Sequence, residues 1–266
     1  MSGLVLLRGG GDLASGVALR LVRSGLKVVV SELPQPLAIR RTVSFAEAVY
    51  AGQCNVEGVH ARLVKRDQIL LTLDAGEVPV MVDPEASILL DADLTFSVVV
   101  DARLTKQAPA TLPTSVPLHI GLGPGFHAGE NCHAVIETRR SHSLGRVYWS
   151  GSAQADSAQP EGDPRRVLRS PAAGVVIGHI QIGEHVEAGD TIAVIGDQVP
   201  VTSLLSGVLR GLIHDGLNVP QGLKIGDVDP RDDASACWLV SDKALAIGGG
   251  VLEAILTRAD IRQKIW

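Results

Sequence analysis

The chain has 266 residues, 45% of them hydrophobic, and a formal net charge of -5. That apolar share suffices for one large or two ordinary packed domains. The acidic balance and the few aromatics, three Trp, two Tyr and three Phe, exclude the basic footprint and stacking platform of a nucleic-acid binder.

Cys54, Cys132 and Cys237 are odd in number and widely spaced, which predicts a reducing, cytoplasmic setting with no metal or disulfide framework. No secretory pattern and no membrane-spanning apolar run is expected.

The first element is an apolar strand, Leu4 to Leu7, running into Gly9, Gly10 and Gly11, then Asp12, Ala14, Ser15 and Gly16 at the start of a helix. The spacing Gly9-x-Gly11-x-x-Ala14 is that of a phosphate-binding turn, with free amides at the helix start favouring an anion. A second strand, Lys27 to Val30, ends near Glu32, at the separation where a dinucleotide fold puts its ribose-binding carboxylate. That reading predicts an NAD(P)-type ligand. Arg40 and Arg41 follow as candidate phosphate contacts.

Further short strands end in Asp83 (Val78 to Val82), Asp101 (Val98 to Val100) and Gly121 (Leu118 to Ile120). Strands alternating with helical stretches predict an α/β domain over residues 1–150. It is read as a Rossmann-like parallel sheet whose strand exits converge on one crevice. Asp101, Arg103 and Lys106 would line it.

A second glycine run, Gly121, Gly123 and Gly125, precedes a polar cluster with His127, Asn131, His133 and Glu137. Successive glycine amides form an anion-binding concavity. Among the polar residues, His127, His133 and Glu137 are the candidate general acids or bases. Cys132, His133 and His142 lack metal-ligand spacing, so no metal site is expected.

Residues 151–166 read as a linker. Beyond it, Gly174, Gly183, Val186, Gly189 and Ile192 recur 33 positions later as Gly207, Gly216, Val219, Gly222 and Ile225. The repeat resembles the two halves of a biotinyl or lipoyl barrel over residues 167–231. The hairpin Asp197 to Pro200 lacks the carrier lysine, and Lys224 is the only lysine in the segment, so a swinging arm is not expected. Residues 232–266 are predicted to hold a C-terminal helix that packs on the α/β domain. Ser241 and Asp242 cap it, Ala244, Ile247, Val251 and Ile255 lie at helical spacing, and Gly248, Gly249 and Gly250 are expected to pack closely.

Taken together, four blocks resemble the YqeB family of selenium-dependent molybdenum hydroxylase accessory proteins: Arg8 to Gly16, Pro36 to Arg41 with Phe45 to Tyr50, Gly121 to Arg140 with His142, and Asp242 to Glu253. The resemblance implies an accessory or maturation role beside a molybdenum hydroxylase partner. It also suggests a pterin cytosine dinucleotide, the molybdenum cofactor form joined through pyrophosphate, as the guest of the two glycine loops. An NAD(P)-dependent oxidoreductase and a ligand-free adaptor docking the hydroxylase stay open beside it.

Overall fold

The structure is a computed structural model that describes residues 3–157, 162–196 and 198–265. It divides into two compact units: Met1–Pro36, Phe45–Ser157 and Val240–Trp266 form the first, and Leu37–Ser44 with Ala158–Leu239 the second. The boundary after Ser157 falls inside the expected linker. Residues 158–161 of that linker, and Asp197 of the expected carrier hairpin, lie outside the described residues.

In the first unit the strands are β1 (Leu4–Arg8), β2 (Val28–Glu32), β3 (Gln53–Val56), β4 (Val59–Leu63), β5 (Val78–Val82), β6 (Phe96–Asp101), β7 (Leu118–Leu122), β8 (His127–Ala128), β9 (Ala134–Ile136), β10 (Val147–Tyr148) and β11 (Gly151–Ser152). The helices are α1 (Asp12–Arg23), α2 (Ala48–Ala51), α3 (Ile69–Asp74), α4 (Asp242–Thr257) and α5 (Ala259–Ile265). Nine strands form one sheet in the order β10-β9-β7-β6-β1-β2-β5-β4-β3. β1, β6 and β7 are buried along their whole length, as strands covered on both faces must be. The chain steps outward from β1 through β2 towards β5 and then returns to lay β6 on the other side of β1. The gap between β1 and β6 is therefore a topological switch point, where open sheets of this kind form a crevice at the carboxyl ends of their strands.

The expected fold, a Rossmann-like parallel sheet with a biotinyl/lipoyl-like barrel, is corrected on both counts. The large sheet is mixed, because β3 runs antiparallel to β4 and β10 antiparallel to β9. The local cause at one edge is the two-residue turn Glu57-Gly58, with φ of 47° and 86°, a backbone that folds a strand directly back on itself. β11 also pairs with β8, so Gly151 and Ser152 belong to a strand and not to a linker.

The second unit holds β12 (Val167–Arg169), β13 (Gly174–Gly178), β14 (His185–Val186), β15 (Thr191–Ile195), β16 (Val199–Thr202), β17 (Gly207–Leu212), β18 (Asn218–Val219) and β19 (Lys224–Asp229). They make two four-stranded antiparallel sheets, β12-β19-β17-β14 and β16-β15-β13-β18, with no closed barrel among the described residues. The 33-residue repeat explains the arrangement. Gly174 of the first copy pairs with Val219 of the second, and Val186 of the first pairs with Gly207 of the second. Each sheet thus contains strands of both copies, so neither copy completes its sheet alone. Ser170 and Ser203, also 33 apart, are both buried. Their hydroxyls donate to the carbonyls of Ala172 and Leu205, each at 2.6 Å. Residues 232–239, expected with the C-terminal helix, cluster with this unit instead.

The C-terminal helix forms as expected, with the Ser241 hydroxyl accepting from the Ala244 amide at 3.1 Å. α4 packs on α1 at backbone distance. A Cβ on Gly16 would lie 2.6 Å from the Ala244 carbonyl carbon, and one on Gly248 would lie 2.6 Å from the Gly16 oxygen. Gly250 is pressed against the backbone of Gly145, whereas a Cβ on Gly249 would meet nothing within 4 Å. Neighbouring glycines of one helix therefore answer oppositely to the same change. Gly248→Ala is expected to cost about 1–3 kcal/mol through overpacking, and Gly249→Ala to gain up to about 1 kcal/mol of helix propensity. Denaturant unfolding of the two variants measures this, and equal effects would contradict the close crossing.

Candidate functional site

The switch point carries a buried ion cluster. Arg8 ends β1 in register with Asp101, which ends β6; they are 3% and 1% exposed. Arg8 Nη1 donates to Asp101 Oδ2 at 3.3 Å and Nη2 to the Pro84 carbonyl at 3.0 Å. Arg103 grips the same carboxylate, Nε to Oδ1 at 2.9 Å and Nη2 to Oδ2 at 2.6 Å. Two guanidiniums thus share one carboxylate, and the charges of Glu85 and Asp83 also act on Arg8. Burial pulls the Arg8 pKa below its ordinary value, against the opposing pull of Asp101. Its Nε is buried without a hydrogen-bond partner.

His119 on β7 joins the cluster from one strand further along. It pairs in register with Val99, two residues before Asp101, and opposite residues share a face, as do residues two apart. Arg8, Asp101 and His119 therefore project from the same face of the sheet. The His119 ring is 7% exposed and lies edge-on to Phe126, centroids 6.0 Å apart. Its Nε2 is buried and unpartnered. Burial, opposed by Asp101 and reinforced by His133, holds its pKa down at about 4, so the ring is neutral near pH 7.

The glycine turn is largely consumed by the fold. Gly9 takes φ of 92°, left-handed backbone that favours glycine. The Gly10 amide donates to Glu32 Oε1 at 2.7 Å and the Leu33 amide to Glu32 Oε2 at 2.6 Å. Both oxygens of the expected ribose ligand are thereby engaged by the protein's own backbone. Burial raises the Glu32 pKa and these two amides oppose the rise. The Gly10 carbonyl accepts from Ser15 Oγ and from the Ala46 amide, and a Cβ on Gly10 would crowd that amide at 2.9 Å. Ala14 and Ser15 are buried, and Ser15 Oγ also accepts from the Phe45 amide at 2.9 Å. Gly11 differs: a Cβ there would meet nothing within 4 Å. It is the N-cap of α1, without a side-chain cap, and Asp12 opens the first turn.

The second glycine loop is filled. A Cβ on Gly121, Gly123 or Gly125 would run into the Phe126 ring, the Thr138 side chain and the Gln107 backbone respectively. Asn131 ties that loop together, its Oδ1 accepting from the His127 amide and its Nδ2 donating to the Gly125 carbonyl. Glu137 is fully buried, and its two oxygens accept from the amides of Arg139 and Gln154 at 2.8 Å each. His133 is exposed, and its Nδ1 accepts from the His119 amide at 2.8 Å. His127 Nδ1 lies 3.2 Å from Glu130. Lys106 pairs with Asp156 at 2.8 Å.

Arg40 and Arg41 belong to the second unit. There Arg40 donates to the carbonyls of Ala236 and Leu239, and Arg41 to that of Leu212.

Of the expected residues, the structure brings Asp101 and Arg103 together with the glycine turn. A Cβ on Gly9 would meet the Ala102 carbonyl and the Arg103 Cα at about contact distance. Arg8 and His119 are the residues that the motif reading passes over. A charged residue closing the apolar run Leu4 to Leu7, and a histidine inside another apolar strand, are the signals that mark them.

The neutral state of His119 has a sign that can be measured. A histidine whose folded pKa lies near 4, below its ordinary 6.5, gives stability that is complete above pH 6.5 and lost as pH falls towards 4, because the unfolded chain binds the proton first. The loss is expected to reach up to about 3 kcal/mol. His119→Gln should lack this component when unfolding free energies of the two proteins are compared across that window. Parallel pH profiles would contradict it.

No family model matches the chain. Among solved structures, it is similar to an aspartoacylase family protein from Mesorhizobium loti (11% identity, 86% of this chain and 85% of that one, TM-score 0.28). It is also similar to a succinylglutamate desuccinylase/aspartoacylase from Rhodobacter sphaeroides (14% identity, 85% of each chain, TM-score 0.26). Likeness at that level carries no functional assignment. By sequence it is 50% identical over 258 residues to the Escherichia coli (strain K12) protein named "Uncharacterized protein YqeB", covering 95% of this chain and 47% of that protein. The chain thus spans about half the length of that relative, and is similar to it across nearly all of its own residues.

Proposed function

We propose that this chain is an accessory factor in the maturation of a molybdenum hydroxylase. On this reading it binds a nucleotide-type anion, the pterin cytosine dinucleotide, at the carboxyl edge between β1 and β6. The observation that carries the reading is Gly11. Its neighbours Gly10 and Gly16 are accounted for by close packing, whereas Gly11 has open space where a side chain would stand and heads a twelve-residue helix with no side-chain cap. Amides at such a helix start favour a phosphate, and the backbone of Ala102 and Arg103 adjoins the same turn at Gly9.

Two further features shape the proposal. Glu32 accepts one backbone amide on each oxygen, so it closes the glycine turn whether or not a ribose is present. Burial pushes the thiols of Cys54 and Cys132 up to about 11 and raises that of Cys237. A thiolate is the form that would carry sulfur or selenium. On this reading the chain holds and presents its guest.

Native mass spectrometry of freshly purified protein tests this. A pterin nucleotide is expected to co-purify and to be lost from Gly11→Asp, whose carboxylate fills the open space, while the circular dichroism spectrum is retained. Protein that carries no pterin nucleotide and gains none on incubation with it would overturn the reading.

A further inference from the structure

We propose that Arg8, Arg103 and His119 form a binding site for a small oxyanion, a phosphate or carboxylate group, at the switch point between β1 and β6. Three observations converge on it. First, two guanidiniums converge on one point: Asp101 is the carboxylate gripped by both, while Asp83 and Glu85 act on Arg8 through their charge. Second, two donors are placed and idle. Arg8 Nε and His119 Nε2 are buried without partners in side chains more than nine-tenths buried. A buried polar atom left unsatisfied is costly, and native folds rarely keep one without a reason. Third, the donors face the same way, because the register aligns Arg8 with Asp101 and His119 with Val99 on one face of the sheet.

The chemistry selects the ligand. Arg8 Nε offers only a hydrogen, and a neutral His119 with its proton on Nε2 offers another, so the guest must accept from both. A charged oxygen does this best, since charge-assisted hydrogen bonds are roughly twice as strong as neutral ones. Asp101 and His133 are the other titratable groups felt by the His119 ring; Asp101 stays committed to its two arginines. Arg103, about a quarter exposed, is the outermost of the three and marks the side from which an anion enters. No residue of α1 contributes to the apolar cluster that includes Leu6 and Val99 on this face. The inference rests on the carboxyl edge being the ligand side of the sheet, as in the reading above, but not on the pterin nucleotide.

The test reads the imidazole nitrogens of labelled full-length protein by NMR, with the His119 signals assigned by their absence from His119→Gln. Inorganic phosphate and acetate are titrated separately, so that a response to one and not the other separates a phosphoryl from a carboxylate guest. A saturable shift of the His119 Nε2 signal is expected with at least one of them. Arg103→Gln leaves Asp101 paired one-to-one with Arg8, and should weaken that binding about tenfold or more. A His119 signal indifferent to both anions would overturn the proposal, and so would binding that Arg103→Gln leaves intact. The outcome is separable from that of the pterin experiment: a chain without co-purified pterin still supports the oxyanion site if His119 responds to phosphate. Conversely, a chain that carries pterin counts against the oxyanion site if His119 does not respond.

Discussion

The contact on which the first unit depends is the backbone crossing of α1 and α4 at Gly16 and Gly248. Each glycine lies where the other helix's backbone leaves no room for a Cβ, so the helices approach closer than side chains permit. The crossing joins residues far apart in the chain: α1 follows the first strand, and α4 begins at Asp242. The long excursion through the second unit is thereby closed, and Val240–Trp266 returns to the first unit. Glycine inside a helix ordinarily costs about 1 kcal/mol relative to alanine; here the close approach offsets that cost at Gly248 and Gly250 but not at Gly249.

With that crossing in place, the carboxyl ends of β1 and β6 are held side by side, and the polar groups that leave them must be satisfied within the fold. Glu32 closes the glycine turn by accepting from Gly10, and Asp101 is clamped by two arginines. These are structural uses of residues whose types suggested ligand binding. Among what the fold leaves unspent near this edge are the open position at Gly11, the Arg8 Nε and the His119 Nε2. All three lie on or beside strands that border the switch point, and the proposals above rest on that coincidence.

The second unit solves a different problem. A repeat copy of this size cannot bury its own apolar face, and the two copies resolve this by exchange, each supplying a short strand to the other's sheet through the paired positions Gly174 with Val219 and Val186 with Gly207. The hydroxyls of Ser170 and Ser203 repeat the same local bond in both copies, which is why the spacing recurs in the polar as well as the apolar positions.

By itself the sequence determined the local elements: the strand, turn and helix at Leu4 to Val22, the capped helix at Ser241, and the 33-residue period. Each depends on side-chain periodicity and turn chemistry that act over a few residues. Tertiary structure decided the rest. The direction of β3 and β10 depended on how the chain turned back at the sheet edges, and the absence of a closed barrel on which strands found partners. The fate of the glycines depended on distant segments: Gln107 fills the loop at Gly125, and Ala46 crowds Gly10. Glu32, Glu137 and Asn131 likewise gained backbone hydrogen-bond partners that the motifs do not show, because a buried polar group must be satisfied by whatever the fold brings to it. Arg8 and His119 gained interest for the same physical reason, since at one atom each the fold brings nothing.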